Sequence, residues 1–355
     1  MRIAVVGVGL IGGSIGLAAR ALGHEVVGFD ADARVLVQAR ERGAVDAGAA
    51  RLAAALAGAD AAFVAAPVGV LPAVVQATLD AAQSGCVVSD VGSTKRTLIA
   101  ASADERFVGG HPLAGAETAG VRHARAELFR GATWYLTPAT GTSGVLYERL
   151  HRLLAAFGAQ PTAIDAGEHD RVMSSVSHLP HVLANVLVAQ AARALGEDAE
   201  RLPAIGPSFR DATRVAGANG AIWTDIYLAN RDALIAGIDD VGARLARVRE
   251  ALLAGDREAL ASWNEGAAED RRALLEAGVA GGPVHELRAS VPNRPGVIAD
   301  IALALGRANV NIVDMALSPS AGGTQGVVAL WIRGDEQADR ACELISGQGI
   351  PVARA

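Results

Sequence analysis

The segment Gly7-Val8-Gly9-Leu10-Ile11-Gly12 constrains this chain more than any other stretch of comparable length. It follows a β-branched apolar run, Arg2–Val6, and opens a segment of helical length; Asp30 closes the next such run, eighteen residues after Gly12. Glycines at this spacing permit a tight strand-to-helix turn and let a pyrophosphate reach the backbone N–H groups at a helix N-terminus. An acid about twenty residues further on accepts hydrogen bonds from a ribose and repels an additional phosphate there. The pattern predicts an α/β Rossmann-type dinucleotide-binding domain that prefers NAD to NADP, with Gly7, Gly9, Leu10, Ile11, Gly12 and Asp30 as cofactor contacts.

The uncharged run from Ile3 to Ala19 can also be misread as a leader peptide, but it holds Gly7, Gly9, Gly12, Gly13 and Gly16, a poor composition for membrane insertion. No other segment reads as long and apolar enough to span a bilayer, and a cytoplasmic protein is expected. The formal net charge of −6 argues against nucleic acid or an anionic membrane as partner, since both want a basic face. Cys86 and Cys342 have no companions at a metal or redox spacing, which predicts two buried thiols in a reducing compartment.

At 355 residues more than one core is expected. Up to Gly167, short β-branched runs alternate with Ala/Leu-rich stretches, the sign of βαβ units around a parallel sheet. The strand candidates are 2–6, 25–29, 61–65, 87–89, 107–109 and 133–136. From Glu168 to Glu276 strand signals vanish, and stretches such as 182–195 and 225–253 carry apolar residues at helical spacing, predicting an all-helical second domain. Residues 277–283 form a Gly/Ala-rich linker ending in Pro283. Beyond it, strands over 284–291, 311–317, 326–332 and 350–352 with helices over 296–307 and 335–346 make a βαββαβ module, a small α+β domain over 284–355.

Ligands of such sheets bind at the carboxyl ends of the strands. After the third strand come Ala66 and Pro67, apolar walls for the cofactor; after the fourth, Asp90-Val91-Gly92-Ser93-Thr94-Lys95; after the fifth, Gly110-His111-Pro112 through Glu117. His111 is the best acid–base candidate, because hydride removal from an alcohol needs a proton acceptor that works near neutrality. Ser93 orients the same hydroxyl or, alternatively, N-caps the next helix; Lys95 reads as a solvated side chain. In the helical part His178 and His181 share a face without a third metal ligand. Arg210 and Arg214 lie four apart, either a surface face or a grip for a carboxylate.

Taken together, GVGLIGGS, DVGSTK, GGHPLAGAETAG, SHLPH, FRDATR and AIWTDI, in that order, resemble the prephenate/arogenate dehydrogenases of tyrosine biosynthesis over essentially the whole chain. The resemblance implies an NAD-dependent oxidative decarboxylation of a small dianionic cyclohexadienol. His111 would accept the 4-hydroxyl proton with Ser93 sharing that hydrogen bond. Arg214 would bind a substrate carboxylate, His181 the side-chain end of the pocket, with Ser177 and Arg210 on the substrate side and Glu117 as a gating or orienting residue. The terminal module resembles an ACT domain, with Asn293, Pro295 and Gly296 in its effector turn. It implies feedback by L-tyrosine or, equally, a module that only dimerises, and a homodimer is expected.

Prephenate is favoured over arogenate because an imidazole at His181 suits a keto acid better than an ammonium group. The β-hydroxyacid dehydrogenases share a dinucleotide domain followed by helices but work through a lysine in the helical part, and residues 168–276 contain none. A nonenzymatic sensor of NAD and an amino acid is the remaining alternative.

Overall fold

Alternating side chains of the first strand settle onto two different cores. In β1 (Arg2–Val6), Ile3 and Val5 face a cluster with Val26, Phe63, Trp134 and Leu150, while Ala4 and Val6 face another with Leu71, Val75, Leu79 and Phe107. A strand buried on both faces belongs inside a sheet covered by helices on both sides. The computed structural model bears this out, and it describes residues 1–115, 118–139, 141–195, 206–277, 283–292, 297, 301, 304–305, 308, 310, 312–319 and 325–355. They fall into two units, Met1–Gly242 and Ala243–Ala355.

The first unit contains an eight-stranded sheet. Its other strands are β2 (Glu25–Phe29), β3 (Ala47–Gly48), β4 (Ala61–Val64), β5 (Val87–Asp90), β6 (Phe107–Pro112), β7 (Thr133–Pro138) and β8 (Gln160–Ala163), in the order β3-β2-β1-β4-β5-β6-β7-β8. The order reverses at β1, which pairs in parallel with both β2 and β4 and so opens a crevice at its carboxyl end. The expectation of a parallel sheet needs one correction: β7 runs antiparallel to β6. Among the described residues, the connection between them holds only two short 3-10 turns, Val121–His123 and Ala126–Phe129, instead of a crossover helix. Two strands escaped the sequence pattern. β3 is two residues long, and β8 is an exposed edge that carries Pro161, tolerated where no ladder donor is needed.

Helices α1 (Leu10–Ala21), α2 (Ala33–Glu41), α3 (Leu52–Leu56), α4 (Leu71–Ala81), α5 (Arg96–Ala101) and α6 (Gly144–Ala156) accompany this sheet. The all-helical stretch follows. Asp165 accepts N–H bonds from Gly167 and Glu168 and so starts α7 (Ala166–Met173). A π-turn, Ser174–His178, joins it to α8 (Leu179–Leu195); Pro180 has no N–H to return to the preceding turn. Then come α9 (Pro207–Thr213), α10 (Gly220–Ala229), α11 (Arg231–Ala254) and α12 (Arg257–Ala277). The continuous helix expected over 225–253 is broken at Asn230, which is buried.

One further expectation is corrected. Residues 166–194 run as a single helical path long and apolar enough, by length and composition alone, to cross a membrane. Its first turns instead bury His169, Asp170 and His178 in hydrogen bonds to other parts of the first unit. Cys342 is half-buried and not buried, whereas Cys86 is enclosed and its thiol is pushed up to about 11 by burial.

In the second unit, β9 (Val284–Pro292), β10 (Ile312–Pro319), β11 (Gln325–Arg333) and β12 (Val352–Arg354) form an antiparallel sheet in the order β10-β11-β9-β12. Its core joins Leu287, Ala289, Val291, Val328, Leu330 and Ile332 to Ala338, Ala341 and Ile345 of α13 (Asp335–Ser346). Val297, Ile301 and Leu305 are helical and buried in the same core, so the βαββαβ order holds. The last strand begins two residues later than its predicted start. Glu117, linker residues 278–282 and the turn residues Asn293, Pro295 and Gly296 lie outside the described residues.

Candidate active site

The glycine turn is built as its spacing requires. Gly7 has φ 89°, and a Cβ there would strike the carbonyl oxygen of Ala65 just past β4. A Cβ at Gly12 would strike the carbonyl of Gly7, so α1 can press against the turn only without side chains. At Gly9, in contrast, an added Cβ meets nothing within 4 Å. That open space lies before the first N–H groups of α1, which has no side-chain cap, and it suits an anion. Leu10 and Ile11 follow, half-buried in the first turn. Asp30 Oδ2 accepts the Val8 N–H at 2.8 Å and Oδ1 accepts the Asp32 N–H at 3.0 Å. Each carboxylate oxygen keeps a further lone pair for a ribose hydroxyl. Ala66 is half-buried and Pro67 exposed beyond β4.

The loop after β5 holds a group that sequence reading misjudged. Lys95 is not solvated: it and Asp90 are fully buried and form an ion pair, with Lys95 Nζ also donating to the Thr94 carbonyl at 2.9 Å. Asp90 accepts the N–H groups of Gly92 at 2.7 Å and Gly110 at 2.9 Å. The pair therefore clamps the loop carrying Ser93 to the residue before His111. Lys95, and not Ser93, occupies the position before α5, so Ser93 is no N-cap; it stands half-buried in the loop. One signal was present in the sequence. Lys95 is the single lysine among 32 Lys and Arg residues, so every other cation is arginine.

His111 is half-buried at the end of β6, opposite Tyr135 in β7. Its Nδ1 lies 2.9 Å from Nε2 of His169, whose Nδ1 lies 2.8 Å from Asp170 Oδ1. Asp170 also accepts the N–H groups of Lys95 at 2.8 Å and Arg96 at 2.9 Å. Desolvation of the enclosed ring, then the nearby His169, Lys95 and His178, holds His111 well below the usual histidine range. It is therefore uncharged at physiological pH. His169 and Asp170 were not foreseen: they come from α7, 58 and 59 positions along the chain, and no local pattern connects them to a strand end.

Of the substrate-side candidates, His181 packs against Trp223 of α10. His181 stacks on its ring with centroids 3.4 Å apart, and His178 meets the same ring edge-on at 6.1 Å. His178 is buried, with Nδ1 3.1 Å from Asn230 Nδ2, and burial lowers it to about 4. His178 thus bonds to Asn230 while His181 stacks on Trp223. Burial, then the positive charge of Arg214, lowers His181. Arg214 follows the last residue of α9 and is exposed, as is Arg210; Ser177 is half-buried in the π-turn. The Gly69 N–H donates to Asp225 Oδ2 at 3.2 Å, tying the loop after β4 to α10 beside a cavity of about 300 Å³ lined in part by Thr94.

Residues 15–162 match the model of the prephenate dehydrogenase nucleotide-binding domain, residues 165–265 that of the prephenate dehydrogenase dimerization domain, and residues 285–340 that of the ACT domain. A prephenate dehydrogenase of Bacillus subtilis is 31% identical over 98% of this chain and 96% of its own length. The chain belongs to the prephenate dehydrogenase family.

Solved structures agree. The prephenate dehydrogenase of Aquifex aeolicus, in complex with hydroxyphenyl propionate and NAD+, superimposes with a TM-score of 0.73 at 26% identity, covering 77% of this chain and 98% of that one. The arogenate dehydrogenase of Synechocystis gives 0.68 at 26% identity, covering 76% and 99%. In this prephenate dehydrogenase family member, the residues that sequence reasoning missed are those that tie separate elements together: Asp90, Lys95, His169, Asp170, Trp223 and Asn230.

Proposed function

We propose that this chain is an NAD-dependent prephenate dehydrogenase that converts prephenate to 4-hydroxyphenylpyruvate and CO2. The observation that carries the reading is the setting of His111, a half-buried neutral imidazole at a strand end of the sheet whose first turn is the glycine turn. The open space at Gly9, the bare N-terminus of α1 and the spare lone pairs of Asp30 fit NAD. When bound, NAD supplies the acceptor for the hydride that leaves C4 of the substrate.

Loss of that hydride from an alcohol carbon requires loss of the hydroxyl proton, and His111 takes it, with Ser93 sharing the hydrogen bond. The ring carboxylate then departs as CO2, leaving its bonding electrons in the ring, and the phenolate oxygen recovers the proton from His111. No net proton is released. Arg214 grips a carboxylate, with Arg210 adding positive charge, while His181, flat on Trp223, and Ser177 bound the side-chain end. Ala66 and Pro67 wall the cofactor, and Glu117 orients the loop of His111. In this reading residues 1–167 hold the cofactor, 168–276 the substrate contacts and a subunit interface, and 284–355 a regulatory module. L-tyrosine is its effector, through Asn293, Pro295 and Gly296, and the enzyme is cytoplasmic.

A homodimer is supported by apolar residues left exposed on the helices: Val186, Leu187 and Val188 of α8, and Ile235, Ile238, Leu245 and Leu252 of α11. Arogenate is the second reading, supported by the likeness to the Synechocystis enzyme. Initial rates of NADH formation with each substrate, with and without tyrosine, test the assignment. Higher kcat/KM with prephenate and loss of turnover in His111→Asn with NAD binding retained are expected; equal or higher efficiency with arogenate overturns the preference.

A further inference from the structure

The two groups behind His111, His169 and Asp170, have a fixed hydrogen-bond direction. Asp170 is 2% exposed, and its carboxylate faces three donors: the N–H groups of Lys95 and Arg96 and the ring of His169. Backbone N–H groups cannot reverse, so they favour the ionised acid. Burial alone would raise this carboxyl, yet hydrogen bonds from His169 and from the two backbone groups outweigh it and hold it below the usual carboxylate range.

An ionised carboxylate only accepts, so His169 Nδ1 is the donor. With Nδ1 donating, Nε2 of His169 is left to accept, 2.9 Å from His111 Nδ1, and two acceptors cannot pair. His111 Nδ1 must carry the proton.

We propose that Asp170 and His169 are positioning residues for the reaction, a two-step relay that fixes His111 in its Nδ1–H form, leaves Nε2 as its one basic nitrogen, and takes up the charge that arrives there. The inference rests on His111 as the base. When the O–H bond of the substrate breaks and the proton joins Nε2, the His111 Nδ1 proton can pass to His169 Nε2, so that the positive charge ends beside the Asp170 carboxylate. The same protons return when the phenolate is reprotonated, and the relay ends unchanged.

The surroundings explain why such an outlet is needed. His111 faces His169 from α7, Lys95 from the loop before α5, His178 from the π-turn and Tyr135 from β7. The Lys95 charge is already matched by Asp90, and among the described residues the anion reached through the His111 ring is Asp170. A second bond braces the relay: Asn230 Nδ2 donates to the Asp170 backbone carbonyl at 2.7 Å.

The test uses the full-length protein with three variants. Asp170→Asn keeps size but lets the amide present either a donor or an acceptor to His169. His169→Gln keeps an acceptor for His111 but loses the carboxylate, and His169→Ala removes both. Expected are a fall in kcat of about 100- to 1000-fold for Asp170→Asn, with KM for prephenate and NAD within about threefold, and partial rescue by His169→Gln relative to His169→Ala. The acid limb of kcat/KM should move to lower pH in Asp170→Asn, because the His111 cation loses its anion; a role in folding alone would leave it in place. Nitrogen NMR of histidine-labelled resting protein should show the His111 proton on Nδ1 in the wild type and a mixture in the variants. Wild-type protein that makes no NADH from prephenate would sink the functional reading while the NMR still decides the relay. Should Asp170→Asn fail to fold, His169→Gln carries the same readouts. A variant with unchanged kcat, acid limb and tautomer overturns the proposal.

Discussion

Lys95 Nζ donates to the carboxylate of Asp90, and neither side chain has any exposed surface. Taking two charges out of water is costly, and the pair persists because backbone N–H groups and the Thr94 carbonyl complete its hydrogen bonding. Removing one partner leaves the other charge buried alone. Lys95→Met and Asp90→Asn should each lower unfolding free energy by about 3–5 kcal/mol. Lys95→Arg should also destabilise, by about 1–3 kcal/mol. Lys95 is fully buried, so the larger, planar guanidinium must displace its neighbours. Urea denaturation measures all three; an Arg variant as stable as wild type would refute the packing argument.

Asp30 serves the turn through the Val8 N–H, and in the function proposed above it also accepts from the ribose. Asp30→Ser keeps an acceptor for that N–H while removing the negative charge that disfavours a 2′-phosphate. Relative kcat/KM for NADP over NAD should rise at least tenfold, mostly through the KM of NADP. A ratio that does not change would place the discrimination elsewhere.

Stability should fall on mild acidification because of His178. Its pKa is lowered to about 4 in the folded protein, against about 6.5 unfolded. The unfolded chain therefore binds the proton first, so the contribution is intact above pH 6.5 and is lost as pH falls from there toward 4. Between pH 7 and pH 5 this amounts to about 2 kcal/mol. The slope should flatten in His178→Gln, which keeps a polar side chain next to Asn230 but does not titrate. Parallel denaturation curves of the two proteins at both pH values decide the point.

How far the sequence could be read depends on where each signal resides. β1 and β2 appear at their full extent because their β-branched runs are bounded by glycine or acid, and β4 and β5 appear to within a residue. The reversal of β7 depends on the absence of a crossover helix, which the composition of residues 113–132 does not announce. The place of His111 at the end of β6 was legible from the apolar run before it. His169 and Asp170 were not, since their meaning arises only when α7 packs behind β6. Lys95 was misread for a general reason: lysines are rarely fully buried unless paired, and its partner stands five residues away across a turn. Its being the only lysine was the available warning.

Arg214 shares its surroundings with His181, which its charge helps keep neutral. If the guanidinium holds a substrate carboxylate in the ground state and the transition state alike, its removal costs binding and leaves the chemical step alone. Arg214→Ala should raise KM for prephenate by about 10- to 100-fold, with kcat within about threefold and KM for NAD unchanged. Arg214→Lys should recover only part of the loss, because an ammonium cannot reproduce the two parallel N–H contacts of a guanidinium. With Arg214→Ala, His181 also loses a repelling charge and should titrate closer to its ordinary value, visible by NMR in the resting enzyme. A variant in which kcat falls and KM does not would move Arg214 from substrate binding to the transition state.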